Sequence, residues 1–160
     1  MTSPIGRSAS PVASRPADVA AMTVAADLDR LVDIRALVRD VALSSDAPPA
    51  CLDDLIQAVD EAATNIVLHG YERRGGAIDV DARLVDDHIV IVLSDTAPTF
   101  DPTTVPEPDL SVPALRRHPG GMGIHLIRLA TDSIAHRPRP GGGNILTLTR
   151  SLDPRPKEER

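Results

Sequence analysis

Six prolines fall between residues 96 and 119 (Pro98, Pro102, Pro106, Pro108, Pro113 and Pro119). Each fixes its own φ and removes a backbone donor, so neither a long helix nor an interior strand can cross this stretch. A chain with such a stretch in its middle must build its core from the segments on either side. A connection this long inside a compact domain is usually functional rather than a mere link.

Those flanking segments are regularly patterned. Upstream, residues 19–26 read as a strand, and Asp27 as the cap of a helix to about Leu43, its register set by Leu28, Leu31, Val32, Arg35 and Val38. After a loop at 44–49 comes a helix over 52–69, whose apolar stripe is Leu52, Leu55, Ile56, Val59, Ala63, Ile66 and Val67. Residues 70–76 are a turn-rich exit. Residues 77–85 alternate apolar and polar, as a half-buried strand does. Residues 88–94 are nearly all apolar and belong inside a sheet. Downstream of the prolines, residues 120–132 read as a glycine-opened helix, and 133–137 with 144–150 as a closing hairpin. The order predicts an α+β fold: a two-layer sandwich whose mainly antiparallel mixed sheet carries helices on one face. The domain spans 19–152. Residues 1–18, rich in Ser, Pro, Ala and Arg, read as a disordered leader, and 153–160 as a flexible tail.

A length of 160 residues suits one domain, and 25% charged with 42% hydrophobic residues is ordinary for a soluble one. The net charge of −6 argues against direct nucleic-acid binding. Sixteen of the seventeen basic side chains are Arg, so a nucleotide site would neutralise phosphate with Mg²⁺, Arg and backbone N–H groups. The single cysteine, Cys51, excludes an internal disulfide and fits a reducing compartment; it reads as a small, partly buried residue. No apolar run approaches membrane-spanning length, and a cytoplasmic location is expected. The five histidines lack metal-ligand spacing, so no zinc site is expected.

Three segments carry chemistry. Glu61 and Asn65 stand one helical turn apart, flanking the apolar stripe. An amide oxygen there can ligate Mg²⁺ while the carboxylate orients or deprotonates a nucleophile, although two polar residues on a wet helix face would look the same. Asp95 ends the most apolar strand, where its carboxylate can accept from an exocyclic amine such as adenine N6, or simply start a turn. Gly120, Gly121 and Gly123 open the following helix, where backbone N–H groups can approach an anion.

Taken in order, these segments resemble the N box (Glu61 to Asn65), the G1 box (Asp95 to Pro102) and the G2 box (Gly120 to Gly123) of the GHKL, or Bergerat-fold, ATPases. More narrowly, the chain resembles bacterial anti-sigma regulatory factors, the switch-type serine/threonine kinases. Asn65…His69-Gly70-Tyr71 and Asn144-Ile-Leu-Thr147-Leu148 match their pattern. The resemblance implies that Asn65 ligates Mg²⁺ bridging the phosphates of ATP and that Glu61 activates an incoming serine hydroxyl. It also implies that Asp95 reads the adenine amine, that Gly120, Gly121 and Gly123 hold the phosphates beneath a lid from 103–119, and that Thr147 supports the adenine side. The implied partners are a sigma factor and a STAS-type anti-anti-sigma substrate, with a homodimer as the implied assembly. One departure stands out: where that family carries glycine two residues after the Asp, this chain has Ala97. If φ > 0 is needed there, Ala97 costs about 1 kcal/mol and ATP affinity falls several-fold, unless the loop is rebuilt. A vestigial, non-catalytic binding module is the rival reading. A detached histidine-kinase ATPase domain is a weaker third, since the upstream region has room for neither a dimerisation helix pair nor a phosphoacceptor histidine.

Overall fold

The computed structural model describes residues 19–111 and 121–153; the leader, the tail beyond 153, Gly120 and the second half of the expected lid lie outside these. Five strands form one sheet: β1 (Val19–Ala25), β2 (Ala77–Val85), β3 (His88–Asp95), β4 (Ser133–Pro138) and β5 (Asn144–Ser151). Their spatial order is β1-β2-β3-β5-β4, and every pairing among them is antiparallel, so the expected mixed character is absent from the described strands. Helices α1 (Leu31–Ser44), α2 (Pro49–Asn65) and α3 (Met122–Ala130) belong to the same core. The α+β two-layer sandwich read from the sequence is the fold observed.

Strand alternation builds the core. Ile78, Val80 and Ala82 of β2 lie buried beside Ile89, Ile91 and Leu93 of β3 and Leu146 and Leu148 of β5. The intervening residues, Asp79, Asp81, Val90, Val92, Thr147 and Thr149, therefore stand on the opposite face. The β2–β3 hairpin closes on Asp86-Asp87, with Asp86 at φ 54°, a left-handed conformation Asp tolerates.

Two helices depart from their sequence reading. Asp27 caps a short 3₁₀ turn (Leu28–Arg30), accepting from the Asp29 N–H at 3.0 Å, and α1 starts only at Leu31. Three residues at 3.0 rather than 3.6 per turn advance the phase by about 60°. The buried stripe is consequently Leu31, Ile34, Leu37, Val38, Val41 and Ala42, not one through Val32 and Arg35. Val32 is 55% exposed, and Arg35 pairs with Asp60 of α2 at 2.6 Å. Helix α2 begins earlier than expected, with Pro49 in the first turn where a missing N–H costs nothing. It ends at Asn65 and continues as a π-helical turn (Ile66–Gly70) closed by the Tyr71 N–H on the Ile66 carbonyl at 2.8 Å.

Cys51, in the first turn of α2, is fully buried with its Sγ 3.6 Å from the Ser151 carbonyl. Burial pushes its thiol up, against the pull of nearby Arg150. It should therefore be inert to a thiol-reactive dye at pH 8 in the folded protein and titrate as one thiol in denaturant. Rapid labelling without denaturant would contradict this burial. Arg150 locks the same end of the sheet. It reaches Asp54 of α2 at 2.9 Å and Asp132, just past α3, at 3.1 Å.

Candidate functional site

A cavity of about 640 Å³ opens where the C-terminal end of α2, the start of α3 and the β3 end of the sheet converge. Glu61 and Asn65 line it, and neither side chain makes a hydrogen bond to another described residue. They face the first turn of α3: a Cβ built on Gly123 would lie 2.8 Å from Glu61 Oε2 and 3.5 Å from Asn65 Nδ2. A Cβ there would displace the Glu61 carboxylate from this position. Gly121, at φ 83°, is the N-cap residue of α3 and also lines the cavity. The extra residue in the π turn carries His69 and Gly70 round to the same wall.

Asp95 stands at the other end, 2% exposed. Its Oδ1 accepts from the Ala97 N–H and from Asn144 Nδ2, both at 2.9 Å, and no described residue bonds its Oδ2. Asn144 lies directly opposite Asp95 in the β3–β5 register. Its Oδ1 accepts from the Phe100 N–H at 2.9 Å and faces His136 Nε2 at 3.0 Å. With Nδ2 committed to the carboxylate, Oδ1 can only accept, which places a proton on His136 Nε2. Asn144 thus ties β3, the 96–100 loop and β4 together behind Asp95. Tyr71 adds a second tie, its hydroxyl accepting from the Thr96 N–H at 2.9 Å and donating to the Ala77 carbonyl at 2.8 Å.

Glu61, Asn65, Asp95, Gly121 and Gly123 thus come together around one cavity. Two other expected contributors do not. Thr147 pairs with Val92 and Ala135 on the sheet face away from the cavity; Leu146, one residue earlier, faces it instead. Ala97 is buried behind Asp95 rather than lining the cavity, and is not among the positive-φ residues. Its N–H caps Asp95, and its methyl lies 3.1 Å from where a Gly70 Cβ would stand. Because Ala97 does not take a positive φ, the strain expected there does not arise, and the glycine opposite leaves room for its methyl. Nor does any described Arg line the cavity; exposed Arg74 pairs with Glu72 at 2.6 Å instead.

Asn144 entered the sequence reading only as the first residue of a matching motif, with no role attached, and His136 and Gly143 were given none. The run Gly141-Gly142-Gly143-Asn144 was the available signal, but its meaning depends on the hairpin register that sets Asn144 against Asp95.

The arrangement joins an uncommitted carboxylate–amide pair, glycine-opened backbone N–H groups and a buried carboxylate acceptor across one nucleotide-sized cavity. The family model described as the histidine kinase-like ATPase domain matches residues 24–150. The chain belongs to the histidine kinase-like ATPase family. Among its relatives, the serine-protein kinase RsbW of Staphylococcus aureus is 30% identical over 132 residues, covering 78% of this chain and 82% of that one. The anti-sigma F factor of Caldanaerobacter subterraneus subsp. tengcongensis is 27% identical over 118 residues, covering 74% of this chain and 82% of its own length. The RsbU and RsbW domains of Rv1364c from Mycobacterium tuberculosis share the fold with a TM-score of 0.58 at 20% identity. That match covers 83% of this chain and 32% of the longer one. No described helix is long and apolar enough to cross a membrane.

The donor set suits Mg-ATP. No described group of three His, Cys, Asp or Glu side chains could hold a metal alone. An ion held chiefly by phosphate oxygens and water needs only a ligand such as Asn65 Oδ1.

Proposed function

We propose that this protein is an ATP-dependent protein serine kinase and anti-sigma factor, which sequesters a sigma factor and phosphorylates a STAS-type anti-anti-sigma protein in the cytoplasm, as a homodimer and without contacting nucleic acid. The observation that carries this reading is the Glu61–Asn65 pair, whose side chains have no partner among the described residues and are set against Gly123 at the start of α3. A module that only bound a partner would have no use for a carboxylate held there.

Each residue then has a task. Asp95 Oδ2 accepts from the adenine amine, its other oxygen being held by Asn144 and the Ala97 N–H. Backbone N–H groups at Gly121 and Gly123 hold phosphate oxygens, helped by the positive end of the helix dipole. Asn65 Oδ1 would hold Mg²⁺, whose charge would offset that of the phosphates. Glu61 takes the proton from the serine hydroxyl as its oxygen bonds to the γ-phosphorus. The bond to the β,γ-bridging oxygen breaks, and ADP leaves. Positioning and charge neutralisation are the main demands of such a transfer. The rival non-catalytic reading leaned on the altered loop Ala97-Pro98-Thr99, and Ala97 within it is not at positive φ.

Calorimetry should show Mg-ATP binding at sub-millimolar nucleotide. Incubation with γ-labelled ATP and antagonists encoded by neighbouring genes should label one of them on serine. Nucleotide binding without label on any antagonist would favour the non-catalytic module, and no binding at millimolar Mg-ATP would refute the kinase.

A further inference from the structure

Residues 102–107 leave the adenine-side loop and run along α3 as a fastened strap. Arg128, in the last turn of α3, donates through Nη2 to the carbonyls of Val105 at 2.6 Å and Thr103 at 3.2 Å. Its Nη1 donates to Glu107 Oε1 at 2.9 Å, and His125 Nδ1 lies 2.5 Å from the second carboxylate oxygen, Oε2. Both oxygens of one carboxylate are thus held by side chains one turn apart on the same helix. The His125 hydrogen bond, helped by the Arg128 charge, holds the Glu107 carboxyl below its ordinary range, so it is ionised at neutral pH.

The place the strap crosses gives the contact its meaning. Val105 and Pro102 line the cavity. A Cβ on Gly121 would lie 3.7 Å from Val105 Cγ1 and 3.9 Å from the Pro106 carbonyl oxygen. The strap therefore passes over the helix start, where the proposed function puts the phosphates. A guanidinium suits this work, because its planar fork serves two carbonyls and a carboxylate at once, which a Lys ammonium on a flexible stem does not.

Resting on the reading that the cavity binds Mg-ATP, we propose that Glu107, His125 and Arg128 form a clasp that positions the strap over the phosphate end of the nucleotide and sets how long the nucleotide stays bound. These are positioning residues; none reaches the reacting atoms. Charge-assisted bonds of this kind, half exposed, should slow nucleotide release by about tenfold.

The test follows release of methylanthraniloyl-ATP from the full chain with Mg²⁺ by stopped flow, chased with excess ATP. Arg128→Gln and Glu107→Gln should each speed release about tenfold while association stays within twofold. The double variant should release no faster than Arg128→Gln alone, because both changes undo one clasp. Glu107 is 59% exposed, so its variant stays folded even if Arg128→Gln does not. Arg30→Gln, which breaks an exposed pair with Asp33, should leave release unchanged. Release within twofold of wild type in Glu107→Gln would overturn the clasp, and so would additive effects in the double variant. A lowered melting temperature with unaltered release would make the contact purely structural. Failure of the wild type to bind the analogue would remove the nucleotide reading, and the clasp's role with it.

Discussion

Glu61→Gln is expected to slow phosphoryl transfer to the protein substrate by about 10²- to 10⁴-fold while Mg-ATP affinity changes by less than about threefold. The asymmetry follows from what Glu61 touches. It lines the cavity with its side chain bonded to no other described residue, and under the proposed function Asn65, one turn away, would take the metal and Asp95, at the far end, the base. Glutamine keeps the size of the side chain and so keeps the fit against Gly123, where the missing Cβ leaves it room. What glutamine lacks is the capacity to accept the serine proton. Single-turnover transfer from γ-labelled ATP, read beside calorimetric binding, separates the two effects. Equal transfer rates in wild type and variant would remove Glu61 from the chemistry. Parallel losses of transfer and binding would make it a nucleotide-holding group instead.

How much of this was legible in the sequence differs by element, for physical reasons. The two central strands were readable because alternation and apolar runs report burial directly, and the observed β2 begins and ends on the expected residues. The Glu61–Asn65 spacing was readable because i and i+4 meet on any α-helix. The phase of α1 was not, since a single 3₁₀ turn rotates every residue that follows it and leaves no mark in the hydrophobic pattern. Thr147 failed for the matching reason in strands, where one position of offset moves a side chain to the other face. Ala97 failed differently. A missing glycine implies strain only where the backbone takes a positive φ, which Ala97 does not, and Gly70 opposite leaves room for the methyl. Asn144 needed a long-range register, set by the pairing of strands forty-nine residues apart, before its link to Asp95 could be seen.

That register makes Gly143→Ala the most damaging single methyl expected outside the Glu61–Asn65 pair. Gly142 and Gly143 share the same φ, 108°, which L side chains rarely adopt. They differ in surroundings. A Cβ on Gly142 meets nothing within 4 Å, whereas one on Gly143 collides with the Asp95 carbonyl and lies 2.7 Å from Thr96 Cα. Those are backbone atoms of the strand end that presents Asp95, and cannot swing aside as a flexible side chain would. Gly142→Ala should therefore cost only the conformational penalty, about 1–2 kcal/mol. Gly143→Ala should cost that plus a further 1–3 kcal/mol or so for overpacking. It should also push β3 away from Asn144, loosening the two bonds that hold Asp95 Oδ1 and lowering adenine-nucleotide affinity by at least about tenfold. Denaturant unfolding and Mg-ATP calorimetry on the pair of variants measure both differences, and the shared φ cancels between them. Equal stability and equal nucleotide affinity in the two would mean that the hairpin does not bear on Asp95, and the adenine end of the site would have to be rebuilt around other residues.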